Sequence, residues 1–271
     1  MAYNLSWGST HPGLLIYLVD LSGSMAYDDN KIKQVSKTIW NVVDNLVAPC
    51  QDMGQYRERF KLNVIGYNQY TYDIFSGGVN NAIDWLDATE ATQQFIDSQK
   101  HKAQGMTHMA LAYDKAAEII QTWIKDQNAK GVPVPAPIVI NITDGYPEEV
   151  GIDPAKAREK ALRSANALKS ISVPDGNILL FNFHIGDGEP GITFPNTRPN
   201  DVNRAFLYDA SSELNDEFVK RAQRASLPAS KGSKMMVSNV TDYSMLSRII
   251  VFGSSVSGMT KADGRCEVPI P

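Results

Sequence analysis

Residues 19–25 read VDLSGSM and set Asp20, Ser22 and Ser24 at alternate positions around Gly23. An extended backbone through Asp20, Ser22 and Ser24 aims alternate side chains the same way, so one carboxylate and two hydroxyls are expected to converge. Two more oxygen donors follow. Thr107 stands in GMTHMA, just before a helical pattern, and Asp144 stands in NITDG, just after an apolar run. The first set, one carboxylate and two hydroxyls, suits a hard divalent cation such as Mg²⁺, with Mn²⁺ or Ca²⁺ as alternatives, because such ions take oxygen ligands and keep several waters. Alone, DxSxS is weak evidence, since Asp and Ser gather at turns for local hydrogen-bonding reasons.

The flanking pattern says what must position these groups. The apolar run 14–19 (LLIYLV) reads as a buried strand that delivers Asp20. Residues 30–47 carry Ile32, Val35, Ile39, Val42, Val43 and Leu46 at helical spacing, and Pro49 ends the pattern. Residues 60–67 and 69–75 alternate around Asn68 as a hairpin. A helix over 109–130 precedes a second buried strand, 138–142, which delivers Asp144. A helix over 154–170, a strand over 178–185, a helix over 213–226, a strand over 234–240 and a closing amphipathic helix over 243–256 complete the pattern, with 186–209 expected as a long surface loop. Strands alternating with helices predict an α/β, Rossmann-like, open and mostly parallel central sheet flanked by helices on both faces. Ligands in such folds sit at the carboxyl ends of the strands, where Asp20 and Asp144 both fall.

The order DxSxS, then threonine in a Gly-x-Thr loop opening a helix, then aspartate in a T-D-G turn resembles the von Willebrand factor A (vWA) domains that carry a metal-ion-dependent adhesion site (MIDAS), in their small cytoplasmic bacterial type. The resemblance spans about residues 14–256 of a single domain taken as 1–271. It implies a metal site of Asp20, Ser22, Ser24, Thr107 and Asp144, the serines and the threonine reaching the ion directly or through water and the aspartates often through water. It further implies a partner protein whose Asp or Glu completes the coordination, and partners such as a kinase, phosphatase or ATPase of a stress-response or defence system. In relatives the last helix, here about 243–256, shifts to switch affinity. His108 departs from the family, standing where relatives often carry proline. Tyr27, His108 and Tyr146 follow the ligand positions closely and are expected on the rim that selects the partner.

Other functions fit less well. With 271 residues and a formal net charge of -4, the chain has no broad basic field for nucleic acid. No apolar run approaches the roughly 20 residues of a membrane span and the N-terminus lacks a secretion pattern, so a cytoplasmic protein is expected. Cys50 and Cys266 lie far apart and suggest neither a disulfide framework nor a zinc site. Gly186, Gly188 and Gly191 match GxGxxG, but a dinucleotide site needs a helix next, and Asp187 and Glu189 would repel phosphate. A Mg²⁺-dependent hydrolase or phosphatase using Asp20 is the alternative function. Its general acid would be expected two residues on, where Ser22 stands, so no enzyme is expected. A structural scaffold with a vestigial site is the third reading. Glu148 and Glu149 read as favouring a nearby helix N-terminus rather than as a second carboxylate shell, and Trp40, Trp85 and Trp123 as core packing.

Overall fold

The computed structural model describes Tyr3 and residues 5–26, 31–97, 100–186, 191–240 and 248. Strand β1 (Gly13–Asp20) is buried at all eight positions, which a strand achieves only with both sheet faces covered. Helix α1 (Lys31–Val47) leads through a 3-10 turn, Ala48–Cys50, to the small hairpin β2 (Gln51–Asp52) and β3 (Gln55–Tyr56). Strands β4 (Phe60–Tyr67) and β5 (Thr71–Gly78) pair antiparallel about Asn68, and helix α2 (Val79–Thr89) follows. Helix α3 (Met109–Ala129), strand β6 (Ile138–Thr143) and helix α4 (Pro154–Ser170) come next, then β7 (Ser172–Val173), β8 (Gly176–Asn177) and β9 (Leu179–Ile185). The chain continues through β10 (Ile192–Thr193), α5 (Val202–Ala210), α6 (Asp216–Arg224) and β11 (Met236–Val240).

Seven strands form the central sheet in the order β10-β11-β9-β6-β1-β4-β5. The five inner strands run parallel and both edge strands run antiparallel to their neighbours. Side-chain alternation in β1 splits the core in two. Leu15, Tyr17 and Val19 join the cluster with α1, α2 and α6, while Leu14, Ile16 and Leu18 join that with α3, α4 and α5. The fold is thus the expected α/β sheet with helices on both faces. Alanines at 157, 161 and 165 give α4 a flat buried stripe, and Asp153 caps its start by accepting from the amides of Ala155 and Lys156.

The stretch 186–209 departs from the expected surface loop. Ile192–Thr193 pairs with β11, Phe194 is buried, and α5 starts at Val202 with Asp201 as its cap. Two residues of strand are too short for periodicity to reveal. Helix α2, absent from the sequence-based expectation, carries Val79, Ala82, Ile83 and Leu86 at helical spacing. The expected helix over 243–256 lies outside the described residues.

Candidate metal centre

Three loops at the carboxyl ends of β1 and β6 and at the start of α3 make the site. The first is fastened to its neighbours by backbone hydrogen bonds: Leu21 N–H donates to the Tyr67 carbonyl at 2.7 Å, Gln104 N–H to the Leu21 carbonyl at 2.8 Å, and Gly23 N–H to the Gly105 carbonyl at 2.9 Å. Gly105 has φ +76°, a left-handed conformation that favours the Gly-x-Thr glycine, and the Gln69 amide lies over it in the space a Cβ would take. The third loop closes on the second where Glu148 N–H donates to the Thr107 carbonyl at 3.0 Å.

The five residues come together. Ser22 Oγ and Ser24 Oγ lie 3.1 Å apart, and Ser24 Oγ donates to Asp144 Oδ1 at 2.6 Å across a gap of 120 residues. A Cβ placed on Gly145 would lie 3.0 Å from Thr107 Oγ1 and 3.8 Å from Asp20 Oδ2, which puts the threonine and the first aspartate beside the T-D-G turn. The means of convergence differs from expectation. Residues 23–26 form a 3-10 turn and not an extended strand, so Ser22 and Ser24 meet because the chain curls. Local hydrogen bonding drives the curl: Asp20 Oδ1 accepts from Ser22 N–H at 2.7 Å.

Asp20 is fully buried. Burial pushes its carboxyl up to about 6; hydrogen bonds from the Thr143 and Ser22 side chains and the Ser22 amide pull it back, and the nearby Asp144 charge raises it further. Thr143 was not anticipated: its hydroxyl donates to Asp20 Oδ2 at 2.6 Å and receives the Gly145 amide at 3.0 Å, locking Asp20 to the turn. Lys31 was also missed, for no motif marks the first residue of a helix as a counter-ion. Its ammonium lies 2.8 Å from Asp144 Oδ2, a carboxylate with no exposed side-chain surface.

The expected rim is altered. Tyr146 is half-buried and stacked on His184, ring centroids 4.7 Å apart at 19°. Burial, then Asp201, pushes its phenol up to about 12. His184 is held neutral, pushed down to about 4 chiefly by burial. His108 is half-buried, with its Nε2 covered and without a hydrogen-bond partner among the described residues. Tyr27 lies outside the described residues. Glu149 adds no carboxylate to the site, because both its oxygens receive Lys160 of α4, at 2.9 and 2.8 Å. Trp40 and Trp123 are buried and Trp85 packs on Phe75 and Phe95, as core residues should. Gly191 leads into β10 and not into a helix. Cys50 is a buried free thiol, and Cys266 lies outside the described residues.

All donors here are oxygens, and among the described residues no three of His, Cys, Asp or Glu gather to make a metal cluster. A cation at this place would thus need the hydroxyls as well as the two carboxylates, and the donor chemistry fits a hard divalent ion. Among the described residues no helix is long and apolar enough to cross a membrane.

This sheet order, with two carboxylate-bearing loops at the strand ends, defines an α/β chain of vWA-type fold. Neither a protein-family model nor a curated protein matches the sequence. Among solved structures, proximal thread matrix protein 1 from the mussel byssus is similar at 16% identity and a TM-score of 0.51, over 91% of this chain and 48% of that one. This chain therefore spans about half the length of the mussel protein. Another structure of the mussel protein, with a zinc-occupied MIDAS motif, gives 14% identity and a TM-score of 0.45 over 89% of this chain and 47% of that one. An aerotolerance-related membrane protein from Bacteroides fragilis gives 16% identity and 0.46, over 88% of this chain and 96% of that one. At such identities the likeness is one of fold.

Proposed function

We propose that this chain is a divalent-metal-dependent protein-binding module in which Asp20, Ser22, Ser24, Thr107 and Asp144 hold Mg²⁺ and a partner protein supplies an Asp or Glu carboxylate to it. The observation that carries the reading is the Ser24–Asp144 hydrogen bond of 2.6 Å, which joins the two carboxylate-bearing loops. Charge argues for an anionic partner. Asp20 and Asp144 together carry two formal negative charges when ionised and Lys31 one positive, so a divalent ion leaves the cluster with an excess positive charge that a carboxylate offsets.

Binding is favoured over catalysis by what surrounds Asp20. Its oxygens are hydrogen-bonded by Ser22 and Thr143, and neither serves as a general acid near neutral pH. The partner is a protein with an exposed acidic side chain, of the kind found on kinases, phosphatases or ATPases of stress-response systems, met in the cytoplasm. Neither nucleic acid nor membrane is part of the proposal.

Isothermal titration with Mg²⁺, Mn²⁺ and Ca²⁺ tests the site. Wild type should bind, and Asp20→Ala and Asp144→Ala should each lose binding more completely than Ser22→Ala, since losing a carboxylate removes both charge and a water anchor. Wild-type affinity in Asp144→Ala would defeat the five-residue assignment. Metal-dependent turnover of aryl phosphates that Asp20→Ala abolishes would favour the hydrolase instead.

A further inference from the structure

The two core clusters are apolar, yet a chain of buried polar side chains crosses the face beneath α3. Tyr67 Oη donates to Asn141 Oδ1 at 2.8 Å. Asn141 Nδ2 donates to Asn182 Oδ1 at 3.0 Å and to Tyr113 Oη at 3.3 Å, and Tyr113 Oη donates to Asn182 Oδ1 at 2.6 Å. Asn182 Nδ2 then donates to Ser211 Oγ at 3.0 Å, and Ser211 Oγ to the Leu207 carbonyl of α5 at 2.7 Å. Tyr67, Asn141, Tyr113, Asn182 and Ser211 are all fully buried.

Stability alone does not call for such a chain. Replacing both partners of a buried hydrogen bond by apolar groups of the same shape is near neutral, whereas leaving one partner unsatisfied incurs its full desolvation penalty. A satisfied network therefore selects one arrangement of its elements and penalises every other. The elements it selects are those of the candidate metal centre. Tyr67 is the register partner of Asp20 across β4 and β1, and its carbonyl holds the Leu21 amide. Asn141 sits three residues before Asp144 on β6, and Tyr113 six residues after Thr107 on α3. Thr143, which holds Asp20, lies on β6 two residues beyond Asn141.

We infer that Tyr67, Asn141, Tyr113 and Asn182 are positioning residues that fix β4, β6 and α3 against one another and so set the spacing of the three ligand-bearing loops. The metal half of this inference rests on the function proposed above; the loop-ordering half does not. The network touches none of the five candidate ligands and acts only through the strands, the helix and the Leu21–Tyr67 backbone bond.

The test uses the full chain with Tyr67→Phe, Tyr113→Phe and a combined variant adding Asn141→Leu and Asn182→Leu to both. Two readouts are taken: the Mg²⁺ dissociation constant by titration, and amide hydrogen exchange in EDTA at Leu21, Gly23 and Glu148, whose N–H groups fasten the loops. The combined variant, freed of most unpaired polar atoms, should unfold cooperatively near the wild-type temperature, bind Mg²⁺ about 10–100-fold more weakly, and exchange faster at those three amides. Should it fail to fold, the single Phe variants carry the test, each with faster exchange at the same amides and a several-fold weaker constant. A network that is only structural would lower the melting temperature and leave both readouts at wild-type values, and that result overturns the inference. If wild type binds no divalent ion while the variants still exchange faster, the metal reading falls and the positioning role stands.

Discussion

Replacing Lys31 by methionine keeps the length of the side chain and removes the ammonium that stands 2.8 Å from Asp144. The Asp144 carboxylate has no exposed side-chain surface and the Lys31 side chain is 26% exposed, so the pair lies between an exposed ion pair, worth up to about 1 kcal/mol, and a buried one whose one-sided removal costs about 3–5 kcal/mol. Ser24 still donates to Asp144 in the variant, which keeps the cost toward the lower end, at about 2 kcal/mol. For a chain of this size that is roughly 4–8 °C in Tm, measured in EDTA. A divalent ion would replace the lost positive charge. If the ion-bound forms of wild type and variant are of similar stability, the same 2 kcal/mol reappears as tighter Mg²⁺ binding by about 30-fold. The assay is titration calorimetry beside thermal unfolding in EDTA and in saturating Mg²⁺: the variant should start lower, gain more from Mg²⁺, and show the smaller dissociation constant. A lowered Tm with Mg²⁺ affinity equal to or weaker than wild type would refute the idea that Lys31 and a divalent ion compete for Asp144.

Three other expectations follow from the structure. Gly145→Ala would press a methyl 3.0 Å from Thr107 Oγ1, so calorimetry should find weaker Mg²⁺ binding while the unfolding free energy in EDTA falls by about 1 kcal/mol, the low end for crowding. Glu58 accepts from the amides of Val79 and Asn80 at 2.6 and 3.1 Å and so caps α2 from a neighbouring segment; Glu58→Ala should cost about 1 kcal/mol in urea unfolding, with no change in metal affinity. Burial and then the neighbouring Lys234 push the Lys169 amine down to about 8 from its ordinary 10.5. Between those values the unfolded chain binds more protons, so the cost of burying Lys169 is full below about 8 and gone above about 10.5, and stability rises with pH through that window. Lys169→Met should remove this rise, read as the wild-type-minus-variant difference in urea midpoint across the window. An unchanged pH slope would count against the burial of that charge.

Much was legible from spacing alone. Strands β1 and β6 are buried throughout and mostly apolar, and they end at or just before an aspartate, so both the sheet and the ends that carry Asp20 and Asp144 could be read from the pattern. The 3.6-residue period marked α1, α3 and α4 to within a residue or two, because each is long enough for its buried stripe to repeat several times. Short elements carried no such repeat. β10 and α5 passed for a surface loop, and α6 proved shorter than its expected span.

At the site, local sequence determined which oxygens were available but not how they were held. The five candidate positions were named from motif, strand end and family resemblance, yet the convergence of Ser22 and Ser24 comes from a 3-10 turn built on the Asp20 carboxylate and not from strand alternation. Lys31 reaches Asp144 from 113 residues away, Asn141 meets Tyr67 across 74, and His184 flattens Tyr146 against the neighbouring strand end. A contact of that kind has no period and no motif. Its cost or gain depends on the burial of both partners, and burial is settled only when the sheet has closed between its two layers of helices.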